Sequence, residues 1–224
     1  MKAFISWSGG KDCMYALHTF LKDEGNEVGC LVNMCAADGQ KSRSHGLSCA
    51  LIAVQAAAMH IPLVQQPIEN DNYEQSFKNV IGGLKKQGIT AGVFGDIYLE
   101  AHREWIERVC REMDITPIFP LWQIDTLALM RGFIADGFKT IAVAVRKEIL
   151  PKSFLGRLLN EDFLTDICTI PNADPCGENG EYHTFVFDGP LFRQAVSFSI
   201  KREYEEEKHW FLELIEHKEQ TILL

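Results

Sequence analysis

Positive charge is scarce in this chain. Its 224 residues carry 22 Lys+Arg against 31 Asp+Glu, a formal net charge of −9. Neutralising a phosphate backbone needs a cationic face. The balance therefore argues against a nucleic-acid binder, while leaving room for one local basic patch. Long apolar runs are missing as well. None reaches the ~20 residues that span a bilayer, so no membrane partner is expected. The seven cysteines, at positions 13, 30, 35, 49, 110, 168 and 176, form no CxxC pair. A disulfide frame and a zinc site both lack their usual spacing, and free, mostly buried thiols in a reducing cytoplasm are expected. Met1–Ile5 enters an apolar segment without a secretory-signal layout, which agrees with a cytoplasmic location. Neither GxxxxGK(S/T) nor GxGxxG opens the first helix, so the two commonest nucleotide-loop signatures are absent.

What is present reads as alternating strands and helices. Hydrophobic residues make 46% and charged residues 24%, an ordinary globular balance. Apolar runs at Lys2–Trp7, Val28–Met34, Ile61–Val64, Ala91–Phe94 and Ile115–Phe119 predict strands. Helical spacing covers Lys11–Glu24, Leu47–Met59, Tyr73–Gln87 and Leu99–Met113. This order implies an α/β fold with a parallel sheet covered on both faces, and a ligand site beyond the strands' carboxyl ends. The pattern changes after Pro120-Leu121-Trp122. A helix near Thr126–Asp136, a strand at Lys139–Val145, a short helix near Asn160–Asp166 and a strand at Tyr182–Phe187 suggest a smaller α+β unit. Residues 1–122 and 123–224 are therefore expected as two domains. The charged tail after Lys201 is either a solvated helix or a hairpin turning near Glu206 with His209–Ile215 as the return strand. The period of two in Val196, Phe198 and Ile200 favours the hairpin.

Ser8-Gly9-Gly10-Lys11-Asp12 sits between the first strand and first helix. The glycines allow a tight turn, the backbone N–H groups and helix N-terminus form an anion cradle, and Lys11 adds a point charge. Asp12 would repel a bare phosphate, which points to a metal ion or a helix-start role. Asn33, ending the second strand, could read a base or ribose. His45 lies in the following polar loop, where it could meet phosphate or acceptor; alternatively Ser44 caps the next helix and His45 is exposed. Gly95-Asp96 ends the fourth strand, a place for a carboxylate that holds Mg²⁺ or an amine. His102 and Arg103 follow in the helix, although Arg103 also has the spacing for an ion pair with Glu100 or Glu107. Finally, Asp174, Glu178, Asn179, Glu181 and His183 crowd one loop. Such carboxylates could orient an amine or act on it as base.

Ser8–Asp12 resembles the loop of the N-type ATP pyrophosphatases (the PP-loop superfamily). Cys13 stands where many members have a second hydroxyl. The loop, Gly95-Asp96-Ile97 with Arg103-Glu104-Trp105, Pro120-Leu121-Trp122, and Glu178-Asn179-Gly180-Glu181-Tyr182-His183-Thr184 together resemble the diphthine–ammonia ligase family over about residues 3 to 192. The resemblance implies an adenine nucleotide alpha hydrolase-like (HUP, Rossmann-like) domain. It also implies a reaction: ATP adenylylates the carboxylate of diphthine on elongation factor 2, or of a related acceptor, ammonia displaces AMP, and pyrophosphate leaves. ATP and Mg²⁺ are then the expected cofactors, with Ser8, Gly9, Gly10, Lys11, Asp12, Asn33, His45, Gly95 and Arg103 around the nucleotide. Asp12 and Asp96 would carry the metal. Lys11, Asp12, Asp96, Glu178 and Glu181 are the catalytic candidates. Glu178, Asn179, Glu181 and His183 are the candidates for ammonia and acceptor. No glutaminase nucleophile is recognisable, so free ammonia is the expected nitrogen source, and a homo-oligomer is expected. Two rivals are a tRNA-thiolating relative, disfavoured by the missing CxxC, and a non-catalytic ATP-binding module, disfavoured by the carboxylate-rich loop.

Overall fold

A computed structural model describes residues 1–43, 45–69 and 72–217. The first five strands are β1 (Lys2–Ser6), β2 (Glu27–Cys35), β3 (Leu63–Pro67), β4 (Ala91–Val93) and β5 (Thr116–Ile118). They pair in parallel in the order β3-β2-β1-β4-β5. The connections are helices α1 (Lys11–Phe20), α2 (Cys49–Ala58), α3 (Tyr73–Lys85) and α4 (Glu100–Glu112). This is the expected Rossmann-like layer. Its chain leaves β1 towards β2 on one side and reaches β4 on the other, so the topological switch lies at the carboxyl ends of β1 and β4.

The second unit begins with α5 (Thr126–Ala135), then β6 (Lys139–Arg146), α6 (Glu161–Ile167), β7 (Tyr182–Asp188), β8 (Phe198–Glu205) and β9 (His209–Glu216). Its antiparallel sheet runs β7-β6-β9-β8. The tail is the hairpin: Glu206 N donates to His209 O at 3.0 Å, and Tyr204 stands opposite Phe211. The return strand packs inward, Leu212 and Leu214 being buried, which a solvated helix would not achieve.

Two cores hold the layers. Phe77, Val80 and Ile81 of α3 meet Ile106, Val109 and Cys110 of α4 on one face of the parallel sheet. On the other face, Met14 and Leu17 of α1 and Leu51 and Ile52 of α2 belong to a core continuous with Leu129, Phe133, Phe163 and Phe185 of the second unit. The two units thus share an apolar interior, and β7 is pressed against the start of α1.

Several expected boundaries move. Helix α1 stops at Phe20, four residues early, because Leu21 caps it and the chain turns at Asp23–Gly25. Strand β3 starts two residues late, after His60 takes φ +56° to turn out of α2. The cap of α2 is Ser48, whose Oγ accepts from Leu51 N at 3.0 Å. Ser44, the expected cap, lies outside the described residues. All seven cysteines are free, and only Cys168 is exposed. No described helix is long and apolar enough to cross a membrane.

Candidate functional site

A cavity of about 410 Å³ opens at the switch point. Its floor is Ser8, Lys11 and Asp12, its rim includes Gly95 and Asp96, and Glu178 closes it from the second unit. The loop beneath is clamped from both sides. Gln55, fully buried on α2, donates to Gly9 O at 2.9 Å and Val186 O at 2.6 Å, while accepting from Trp7 Nε1 at 2.9 Å. Val186 N donates to Gly9 O at 3.0 Å and Lys11 N to Thr184 Oγ1 at 3.0 Å. One N–H of the expected anion cradle is therefore satisfied by the second sheet. Replacing Gln55 with leucine removes three buried bonds and leaves their partners unpaired. A loss of about 2–4 kcal/mol is expected in denaturant titration.

The two loop glycines are needed for different reasons. Gly9 has φ +84°, and a Cβ there would stand 3.2 Å from Gln55 Oε1 and collide with Ile52. Gly10 has an ordinary φ of −89°. A Cβ there would run into the His45 ring and reach Thr184 Oγ1 at 3.1 Å. Gly9→Ala is accordingly expected to destabilise the fold by about 1–3 kcal/mol. Gly10→Ala should stay folded but push His45 into the cavity, and calorimetry should register nucleotide binding weakened by tenfold or more.

Lys11 is 4% exposed. Its Nζ lies 2.7 Å from Asp12 Oδ1 and 5.4 Å from the centre of the Tyr182 ring. Burial favours the neutral amine, yet the Asp12 carboxylate, with Tyr182 and Cys176, outweighs it and holds the pKa above the usual lysine range. The ammonium is thus fixed in its charged form. Cys13 is buried, and its thiol donates to Gly10 O at 3.2 Å. Burial pushes its pKa up, so it stays a neutral brace for the loop.

Three carboxylates, Asp12, Asp96 and Glu178, line the cavity with that ammonium. Asp96 faces His102 Nδ1 at 3.4 Å, and burial raises its pKa despite the imidazole. Glu178 accepts from Ile97 N at 3.0 Å. Burial, then the Asp12 charge, push Glu178 up to about 7. With Asp12, this wall holds more negative charge than Lys11 offsets, an arrangement that favours an added cation. Oxygen donors suit Mg²⁺. No described group of three or more His, Cys, Asp or Glu side chains could hold a metal alone. Asp12 and Asp96 therefore fit the ion only as part of a shell completed by phosphate oxygens and water.

The histidines differ from expectation in charge. His45 and His183 stack with centroids 4.7 Å apart, and His45 Nδ1 lies 3.1 Å from Thr184 O. Burial lowers them to about 4 and about 3. They are neutral platforms at the cavity wall, able to stack or share a hydrogen bond but not to supply positive charge. His45 is only part-exposed, contrary to the alternative of an exposed ring.

Six expected site residues do not line the cavity: the loop glycines Gly9 and Gly10, and Asn33, Arg103, Asn179 and Glu181. Asn33 is buried and donates to Trp7 O and Ser42 Oγ at 2.8 and 2.9 Å, tying β2 to its loop. Arg103 pairs with Glu107 at 2.7 Å and lies 4.6 Å over Trp122, the ion-pair alternative with an added stacking partner. Glu181 is fully buried and accepts from the backbone N of Asp174 and of Asn179, both at 2.9 Å. Asn179 gives its own amide to Glu181 at 3.3 Å. The pair shapes the loop that delivers Glu178. Gly95 acts through proximity: a Cβ there would sit 2.8 Å from the Asp12 carbonyl carbon, so its absence lets β4 approach α1. Sequence reasoning missed Gln55 and gave Tyr182 and Thr184 no role, although both stand in the motif string. Their alternation reads as ordinary strand, and Gln55 sits in an otherwise apolar helix.

Known proteins resemble the chain over most of its length. A family model described as "Diphthamide synthase N-terminal domain" matches residues 1–117, and "Diphthamide synthase C-terminal domain" matches residues 125–221. A rat protein named diphthine–ammonia ligase is 28% identical over 213 residues, covering 84% of this chain and 79% of its own. The human protein of that name is 26% identical over the same shares. A solved structure from Methanocaldococcus jannaschii, titled as a predicted subunit of tRNA methyltransferase, is similar with a TM-score of 0.47 at 14% identity, over 87% of this chain and 99% of its own. With family models matching both halves, the chain belongs to the diphthamide synthase family.

Proposed function

We propose that this chain is an ATP-dependent ligase that converts the carboxylate of diphthine, carried on elongation factor 2, into its amide with free ammonia. The observation that carries the reading is one cavity holding a fixed ammonium on a glycine loop opposite three carboxylates, one of them raised to about 7. Residues 1–122 then hold ATP, and residues 123–224 supply the groups for ammonia and acceptor.

A carboxylate is a poor acyl donor, because its leaving group would be oxide. In the proposed first step, an acceptor carboxylate oxygen attacks the α-phosphorus of ATP. The bond to the β-phosphate oxygen breaks, and pyrophosphate departs along Ser8–Lys11. Lys11 stabilises charge that grows on the leaving oxygens. Mg²⁺ held by Asp12 and Asp96 would offset charge on the phosphates. In the second step, Glu178 takes a proton from ammonium. An ordinary carboxylate is too weak a base, and the raised affinity narrows the gap. Ammonia attacks the acyl carbon, the added nitrogen gives up a proton to the departing phosphate of AMP, and AMP leaves with the bonding electron pair. Neutral His45 and His183 line the site without competing for the proton.

Labelled ATP tests this reading with ammonium and a diphthine-bearing acceptor. AMP and pyrophosphate in equal amounts are expected. ADP and phosphate would overturn adenylylation, and tight ATP binding without turnover would favour a nucleotide-sensing module.

A further inference from the structure

A second cavity, of about 440 Å³, adjoins the first and shares Ser6, Tyr73, Asp96 and His102 with it. It lies between α3 and α4, on the sheet face away from the second unit. Phe77, Phe94 and Trp105 join Tyr73 as ring walls. Tyr73 and Phe77 have centroids 6.1 Å apart, and Trp105 lies 5.8 Å from Tyr73 and 6.0 Å from Phe77. Trp105 is held in place: its Nε1 donates to Glu74 Oε2 at 3.0 Å, and Glu74 is pinned by Lys78 and Arg108. Donation to a carboxylate also enriches the indole face in electron density. Asp96 is the carboxylate of its lining, with His102 Nδ1 3.4 Å from it.

The lining not shared with the first cavity, Phe77, Phe94, Trp105 and Ile106, is ring and aliphatic, and the polar groups Ser6, Asp96 and His102 stand where the two cavities meet. Rings within and a carboxylate at the mouth suit a cation that has no N–H to satisfy. That describes a quaternary ammonium group. An adenine ring is a poorer match, since its edge needs donors and acceptors. The first cavity offers a base room beside Trp7, Val32 and Met34, continuous with the phosphate loop. We infer that the cavity between α3 and α4 holds the quaternary ammonium group of the acceptor side chain. The inference rests on the proposed function for the acceptor's identity: diphthine bears a trimethylammonium group on the carbon next to its reacting carboxylate. An ammonium group seated against Trp105 and Tyr73 would leave that carboxylate at the shared mouth, beside Asp96 and facing the nucleotide.

Calorimetry on the full chain tests this with two small probes of equal shape. One is glycine betaine; the other is 3,3-dimethylbutanoate, its uncharged-head isostere. Betaine is expected to bind about tenfold more tightly, the scale of a desolvated cation–π contact. Trp105→Leu should erase the preference. Tyr73→Leu, at a more exposed ring, provides a milder variant should the first fail to fold. Equal binding of the two probes, or no binding of betaine, overturns the inference. So does a Trp105→Leu protein that keeps the preference while losing ATP affinity, which would assign the cavity to the base. Failure here leaves AMP formation untouched, and failure of AMP formation leaves the betaine preference standing, so the two readings separate.

Discussion

Lys11→Met is expected to lower AMP formation about 10³-fold, the scale of losing a principal electrostatic stabiliser of a transition state, while the protein stays folded. The side chain is 5% exposed, and among the described residues its carboxylate contact is Asp12 at 2.7 Å. Two charges about 4 Å apart interact by about 4 kcal/mol at an effective dielectric near 20. That is enough to account for three decades in rate if leaving pyrophosphate meets this ammonium. Methionine fills similar volume without the charge. Removing one partner of a fully buried pair is usually severe, but the Asp12 side chain is 33% exposed and can hydrate when left alone. The variant also escapes the desolvation that burying an ammonium costs. Thermal melting should therefore move by only a few degrees. Unchanged AMP release would mean that pyrophosphate leaves by another route.

Much of this site was legible in the sequence because its logic is local. Ser8–Asp12 must lie between β1 and α1, and Gly95-Asp96 must end β4, once the strand–helix alternation is accepted. A parallel sheet then brings both loops to one edge. The order of the strands follows less directly, since β4 pairs with β1 across some 85 intervening residues. The direction of each side chain was not legible. Glu178 and Glu181 are three apart in one loop, yet one faces the cavity and the other is buried against the loop's own N–H groups. Residue type is identical, and only the turn at Gly177 and Gly180, both with φ > 0, separates their fates. Arg103 and Asn33 show the same limit: a correct place in the chain, with partners supplied by residues distant in sequence. Gln55 was invisible because the groups it joins, Gly9 of the loop after β1 and Val186 of β7, are far apart in sequence.

Glu178→Gln is expected to stabilise the protein at alkaline pH and to abolish only the second half of the reaction. The folded-state pKa of Glu178 is raised to about 7 by burial and by Asp12. The folded protein therefore holds this proton more tightly than the unfolded chain does. That contribution to stability is complete below the ordinary glutamate range and is lost as pH rises through about 7. Glutamine stays neutral at every pH and keeps an oxygen for the Ile97 N–H. In metal-free protein, wild type and variant should melt alike near pH 4. At pH 8 the variant should be more stable by at most about 3 kcal/mol, less what solvent at the cavity mouth screens. A bound cation at Asp12 and Asp96 would lower the Glu178 pKa, so added Mg²⁺ should shrink the difference. Adenylylation does not use this carboxylate, and ATP–pyrophosphate exchange with acceptor should persist. Amide formation should fall about 10²–10⁴-fold, the usual worth of a positioned base. The wild-type rate of that step should also drop on the acid side of Glu178's ionisation, with no such limb in the variant. Loss of exchange together with amide formation would show instead that Glu178 serves the nucleotide, and would return the search for the ammonia base to Asp96.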